Sequence, residues 1–196
     1  MAIVYGCTDS TAANYNTLAT NDDGSCIASK HHNVTGELVQ ELLAPGDNIR
    51  VSSISLTNAN FEGSTLVDLY IEKQLTGKFY LLKKVKLPVG ATLTHDIRSF
   101  NNSSGQFGLF IKLTKSDVFK LTGTIDPIAD PTVTGVGTLF LTEVQVGDEI
   151  IVTGETRTVA SITDTTNLEV TVATTNSAND TTPDCSPKSR VDVILS

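Results

Sequence analysis

A chain of 196 residues with 39% hydrophobic side chains can bury one large β core or two small ones, and it is too apolar to be disordered throughout. A net charge of −8 argues against a nucleic-acid surface, because affinity for phosphate rests on Lys and Arg displacing counterions. No stretch approaches the roughly 18 apolar residues of a membrane span, and three cysteines are too few for a disulfide scaffold.

Thr, Val and Ile dominate the apolar segments, and β-branched side chains fit a pleated surface better than a helix. Residues 1–33 are the exception. They set Cys7 and Cys26 around Asn, Asp, Thr and Gly without hydrophobic periodicity, and are expected to form an irregular N-terminal arm. Residues 1–6 carry neither a basic region nor a long apolar one, which predicts no secretory signal. The segment Asn21-Asp22-Asp23-Gly24-Ser25-Cys26 admits two readings. Asp22 and Asp23 beside a turning Gly are the kind of oxygen ligands that Ca²⁺ takes, although the further spaced ligands of an EF-hand loop are missing. Alternatively the two carboxylates make side-chain turns around Gly24 and Cys26 pairs with Cys7. Such a bridge contributes about 3 kcal/mol once oxidised and stays open in a reducing cytoplasm.

Val34, Leu38, Leu42 and Leu43 recur at roughly helical spacing, but Gly36 and the run Ala44-Pro45-Gly46-Asp47 leave a strand equally open. From Asp47 onward, strands alternate with turn residues. The first covers 49–58, and its apolar phase slips between Val51 and Ile54, which predicts a bulge. Residues 66–71 place Val67, Leu69 and Ile71 on one face; 79–87 follow a Thr76-Gly77 turn; 91–97 precede a loop over 100–105; and Phe107, Leu109, Ile111 and Leu113 are again in phase.

After Lys115, through Asp126-Pro127 and Asp130-Pro131, a second unit begins, with short strands expected at 138–142, 149–153, 156–162 and 168–172. A last alternating segment carries Val191, Val193 and Leu195. A terminal strand alone cannot bury its face, so it is expected to rejoin the first unit. The organisation predicted is an arm over 1–33, a β-sandwich from 34–115 plus 189–196, and an inserted small barrel with flanking loops over 116–188.

Catalytic chemistry is sparse, and the sequence reads as non-enzymatic. The histidines are His31, His32 and His95, with no Cys-x-x-Cys or His-x-x-x-His spacing for zinc. There is no Gly-x-Ser-x-Gly elbow and no P-loop, and Gly135-Val136-Gly137 opens a strand instead of a helix. Lys83, Lys84 and Lys86 read as a solvated strand face, and the partner of Cys185 is left open. No catalytic residue, cofactor or firm metal site is expected. Tyr70, Phe79, Tyr80 and Phe110 are candidate sugar-stacking rings, set against core packing, in a chain that has no Trp.

Three segments carry a resemblance. Residues 5–16 with Asp22-Asp23-Gly24-Ser25-Cys26 resemble a cysteine-bracketed module of marine bacterial surface proteins and of virion proteins of marine phages, particularly cyanophages; Thr17 stands where that module commonly has Pro. Residues 133–140, 146–150 and 154–164 are similar to a small SH3-like β-barrel of phage tail, fibre and capsid-associated proteins. Residues 54–58, 67–71, 80–88 and 90–93 resemble the Ig-like sandwich of small phage virion proteins. The resemblance implies an all-β virion structural protein of a tailed phage, assembled in the host cytoplasm. Its partners would be other capsid, neck or tail subunits and further copies of itself, with no nucleic acid and no membrane. The alternative is a carbohydrate-binding or adhesion module.

Overall fold

The computed structural model of the chain describes residues 2–12, 14–26, 30–47, 49–73, 77–101, 107–115 and 117–196. The turn read at Thr76-Gly77 and the loop at 100–105 lie partly outside these. The molecule is all-β, and the only helix among the described residues is one turn.

Eight strands form a sandwich of two four-stranded antiparallel sheets. One sheet runs β3 (Lys30–Thr35), β17 (Arg190–Leu195), β5 (Arg50–Asn58), β8 (Thr92–Asn101). The other runs β4 (Gln40–Leu43), β9 (Gly108–Lys115), β6 (Thr65–Lys73), β7 (Gly77–Leu87). Alternation dictates which side chains meet between the sheets. Val51, Ile54, Leu56, Val67, Leu69, Leu109, Ile111, Leu113, Val191, Val193 and Leu195 are all buried in one cluster. The phase slip in β5 is a bulge: the register with β8 shifts between Val51 and Ser53, and the amides of Ser52 and Ser53 both donate to the Ser196 carbonyl.

The helical spacing over 34–43 is coincidental. Val34 belongs to β3, Leu42 and Leu43 to β4, and Leu38 is exposed in the connection between the two sheets. The irregular arm also ends earlier than residue 33, because β3 begins at Lys30 and pairs with β17 from Lys30↔Leu195 to Thr35↔Arg190.

Between β9 and β17 the chain builds a seven-stranded sheet of its own. Its order is β10 (Phe119–Lys120), β16 (Asp184–Ser186), β13 (Glu149–Val152), β14 (Glu155–Ile162), β15 (Asn167–Val170), β12 (Thr132–Val136), β11 (Thr124–Pro127). The sheet curls until its ends approach, with Ile125 and Asp180 exchanging two backbone hydrogen bonds of 2.8 Å. Its core of Leu121, Ile125, Val133, Phe140, Ile150, Val152, Val159 and Leu168 shares no residue with that of the sandwich.

One sequence expectation fails here for a local reason. Residues 138–142 are no strand: α1 (Phe140–Glu143) is a helical turn whose Val144 amide donates to the Phe140 carbonyl. Phe140 and Val144 are the buried pair, at a spacing of four, while Leu139 and Leu141 are exposed. Asp126-Pro127, read only as part of the passage into the second unit, closes strand β11, and Asp130-Pro131 lies in the turn between β11 and β12. Pro127 is tolerated because β11 ends the sheet order, where a missing N–H interrupts no ladder.

Buried Leu195 and exposed Ile194 are neighbours one residue from the end of the described chain, so they isolate what β17 contributes to the core. Leu195→Ala is expected to lower the unfolding free energy by about 2–5 kcal/mol, and Ile194→Ala by no more than about 0.5 kcal/mol. Urea denaturation measures both, and equal effects would mean that β17 does not close the sandwich.

Candidate functional site

Three places gather chemically informative side chains: the N-terminal module, the outer face of the second sheet, and the junction between sandwich and insert.

In the module, β1 (Tyr5–Gly6) pairs in parallel with β2 (Asn21–Asp22), and Cys7 and Cys26 form a disulfide with Cα atoms 4.7 Å apart. With each sulfur bonded to the other, neither cysteine is a thiolate ligand for zinc beside His31 or His32. Asp22 Oδ1 accepts the Gly24 amide at 3.0 Å, and Gly24 takes the left-handed φ of +73° that such a turn needs. Asp23 Oδ1 accepts the Ser25 amide at 3.0 Å, and hydrogen bonds from the Ser25 side chain and then its amide hold this carboxyl below the usual range. Asp9 is lowered the same way by Thr11. Asp22 and Asp23 thus shape turns, and among the described residues no three His, Cys, Asp or Glu side chains gather as cation ligands.

On the second sheet, β6 and its neighbours line up Tyr80, Tyr70 and Phe110 directly across three strands. Tyr70 is opposite in phase to Leu69 and Ile71, so the row lies on the face away from the core. Tyr70 and Phe110 stack at 5.8 Å, Tyr80 tilts against Tyr70 at 5.5 Å, and Lys78 Nζ sits 4.4 Å above the Tyr70 ring and 3.1 Å from its hydroxyl. That enclosure leaves Tyr70 only 1% exposed, whereas Tyr80 is 42% and Phe79 54% exposed. Of the four candidate rings, Tyr70 therefore supports packing and Tyr80 is exposed on this outer face, whereas Phe79, paired with Ile71 and edge-on to Phe107, is exposed on the other face of the strand.

The lysine run belongs to the same edge. β7 places two residues, Lys83 and Lys84, against Asp68 alone; Lys84 takes φ +50° and donates its amide to Asp68 Oδ1 at 2.6 Å. Lys83 stands 4.7 Å above the Tyr80 ring, and Lys86 lies 3.3 Å from Asp117. The bulge and lysines mark β7 as a blunted edge.

The histidines do not converge. His31 and His32 are in β3 and His95 in β8, the two opposite edges of one sheet. Burial and the neighbouring Lys30 lower the His32 pKa and favour its neutral form. Gly135 serves packing, not phosphate: a Cβ there would lie 2.4 Å from the Thr138 side chain, and its amide donates to the Thr166 carbonyl. Cys185 is buried in the core of the insert, and burial, then the Asp148 carboxylate, push its thiol up to about 12. It is inert as a nucleophile.

The junction is what sequence reading missed. Arg190, the first residue of β17, sends Nη1 to Asp148 Oδ1 at 2.7 Å, to the Lys188 carbonyl at 3.0 Å and to Gln145 Oε1 at 3.1 Å, and Nη2 to the Val146 carbonyl at 2.7 Å. Asp148 Oδ1 also accepts the Lys188 amide and Oδ2 the Gln145 amide. Asp148 is buried and Arg190 largely so, with side-chain exposures of 2% and 14%. Gln145 reaches the sandwich again through the Phe61 amide and the Ala59 carbonyl. At the other crossing, Lys115 at the end of β9 pairs with Glu149 at 2.8 Å. Both points where the chain passes between the units are thus held by β13 or the turn before it. Neither Arg190 nor Asp148 has a local signature, so only their spatial meeting identifies them.

No family model matches the chain, and comparison with curated proteins and with solved structures gives no match. Among the described residues no helix is long and apolar enough to cross a membrane.

Asp148→Ala would strand the Arg190 guanidinium with its charge unmatched in a buried site, at an expected cost of about 3–5 kcal/mol. Equilibrium denaturation checks this, and a loss below about 1 kcal/mol would mean that the junction is not a structural bond.

Proposed function

We propose that this chain is a non-enzymatic structural component of a tailed-phage virion, an Ig-like sandwich carrying an SH3-like insert. It attaches to the capsid exterior, neck or tail through the sandwich and presents the insert outward. The observation that carries the reading is the junction: two separate cores joined at both chain crossings, by a largely buried ion pair with several hydrogen bonds and by a second bridge, form a stiff two-lobed body. A part built to hold position needs that stiffness. A catalyst needs converging reactive groups, and His31 and His32, His95, Cys185 and the carboxylates of the module lie on separate elements.

The module of residues 2–26 precedes β3 and lies outside the sandwich ladders. A chain lacking 2–26 is expected to keep the melting transition of the sandwich yet to enter particles poorly, as followed by quantitative mass spectrometry of purified virions. Particles that contain no copy of the full chain would overturn the reading.

The exposed ring of Tyr80, on the outer face beside Lys83, favours a second reading, a carbohydrate-binding surface. In that case glycan-array binding is lost on Tyr80→Ala while stability is kept. Tyr70→Ala is the wrong probe, since that ring is buried.

A further inference from the structure

We propose that copies of this chain associate head to tail, with the disulfide-closed module of one copy seated on the lysine- and ring-bearing edge strand β7 of the next. The inference does not depend on the virion reading.

The module cannot bury its own apolar side chains. Its core is Cys7, Ala12 and Cys26, while Ile3, Tyr5 and Leu18 are 67%, 62% and 73% exposed, and Ile3 lines a shallow recess with Ala2, Thr20 and Asn21. Such a concentration of large apolar groups on so small a unit marks a contact surface. Its charged side chains are all acidic: residues 1–26 hold Asp9, Asp22 and Asp23 and no Lys or Arg. Hydrogen bonds from Thr11 and Ser25 favour the charged form of Asp9 and Asp23.

β7 is its complement. In a chain of net charge −8, this strand carries Lys78, Lys83, Lys84 and Lys86 and no acidic residue, and on its outer face it exposes Tyr80, with Lys83 above the ring. Both elements thus combine exposed apolar groups with charge of a single sign, and the two signs are opposite, the combination that steers and registers a protein interface.

The two surfaces belong to different copies. β3 and β4, joined by residues 36–39, are the sheet edges on one flank of the sandwich; β7 and β8, joined by residues 88–91, are the edges on the other. The module leads into β3, and within one copy Ile3, Tyr5, Leu18, Phe79 and Tyr80 all remain exposed. Pairing of β7 with a second β7 is disfavoured, since lysines would face lysines and the Lys84 amide is already bonded to Asp68. An interface between two unlike patches is heterologous, so it closes a ring or propagates.

The test uses the oxidised full chain in sedimentation velocity over rising concentration, at low and high salt. Association is expected, weakening with salt. Lys83→Glu/Lys84→Glu and, separately, Asp22→Asn/Asp23→Asn/Tyr5→Ser should each weaken it about tenfold or more; Asn keeps the side-chain turns that Asp22 and Asp23 make. Each variant must show the parental circular dichroism, and Leu18→Ser replaces the module variant if that one unfolds. Mixing an edge variant with a module variant leaves one intact interface, so the mixture should give a one-to-one dimer that grows no further. A chain that stays monomeric, association unaffected by both variants, or a mixture that forms no dimer would each overturn the proposal.

Discussion

The strand β17 lies between β3 and β5, bonded along its length to both, and the sandwich is incomplete until it arrives. Everything from β10 to β16 must be synthesised and placed before that pairing closes. The entropic cost depends on how far the chain travels between the two crossings. As an open loop of about 75 residues the detour costs about 2 kcal/mol more to close than a loop of about 9, which is what remains once β10 and β16 have paired. That pairing puts Phe119 opposite Cys185. The insert brings its own ends together, and so converts a long-range closure into a short one. A fold that depends on such non-local pairing forms more slowly than one built from local contacts.

The junction turns this topology into a fixed geometry. Arg190 opens β17, so the residue that starts the closing strand is also the one that binds the insert. Replacing a buried ion pair with apolar residues is often neutral for stability, so the value of Arg190 and Asp148 lies in direction more than in net energy. The guanidinium is bound at four oxygens, three from the turn over 145–148 and one from Lys188, and a planar fork so occupied permits one orientation. Lys115 and Glu149 are more exposed, and their bridge contributes less; its effect is to hold the second crossing near the first.

Period-two alternation explains why much of the sandwich was legible in the sequence. Val67, Leu69, Leu109, Ile111, Leu113, Val191, Val193 and Leu195 face one core because each is two residues from the next, and the slip at Val51 marked its own bulge. Legibility failed where one pattern imitated another. Thr138, Phe140 and Thr142 alternate like a strand, yet the decisive spacing is Phe140 to Val144. Pro127 closes the edge strand β11 and Pro131 stands just before β12, yet in sequence they mark only a change of texture. Tyr70 is hidden on the outward face by rings that reach it only through cross-strand register, which a single strand does not reveal. The ion pair of Asp148 with Arg190 spans 42 positions, and no local rule connects residues so far apart.

The three cores differ in size, and the difference sorts what holds each part together. The sandwich and the insert bury enough aliphatic surface to be stabilised by the hydrophobic effect, and within the insert Cys185 acts as one more apolar side chain. The module buries two half-cystines and an alanine, too little to offset the ordering of its backbone. Its shape therefore rests on the covalent bridge, on turns made by Asp9, Asp22 and Asp23, and on whatever covers Ile3, Tyr5 and Leu18. Reduction removes the first of these supports and leaves the other two lobes untouched. An interface formed through the module is thereby conditional on an oxidised bridge, while the body it joins is not.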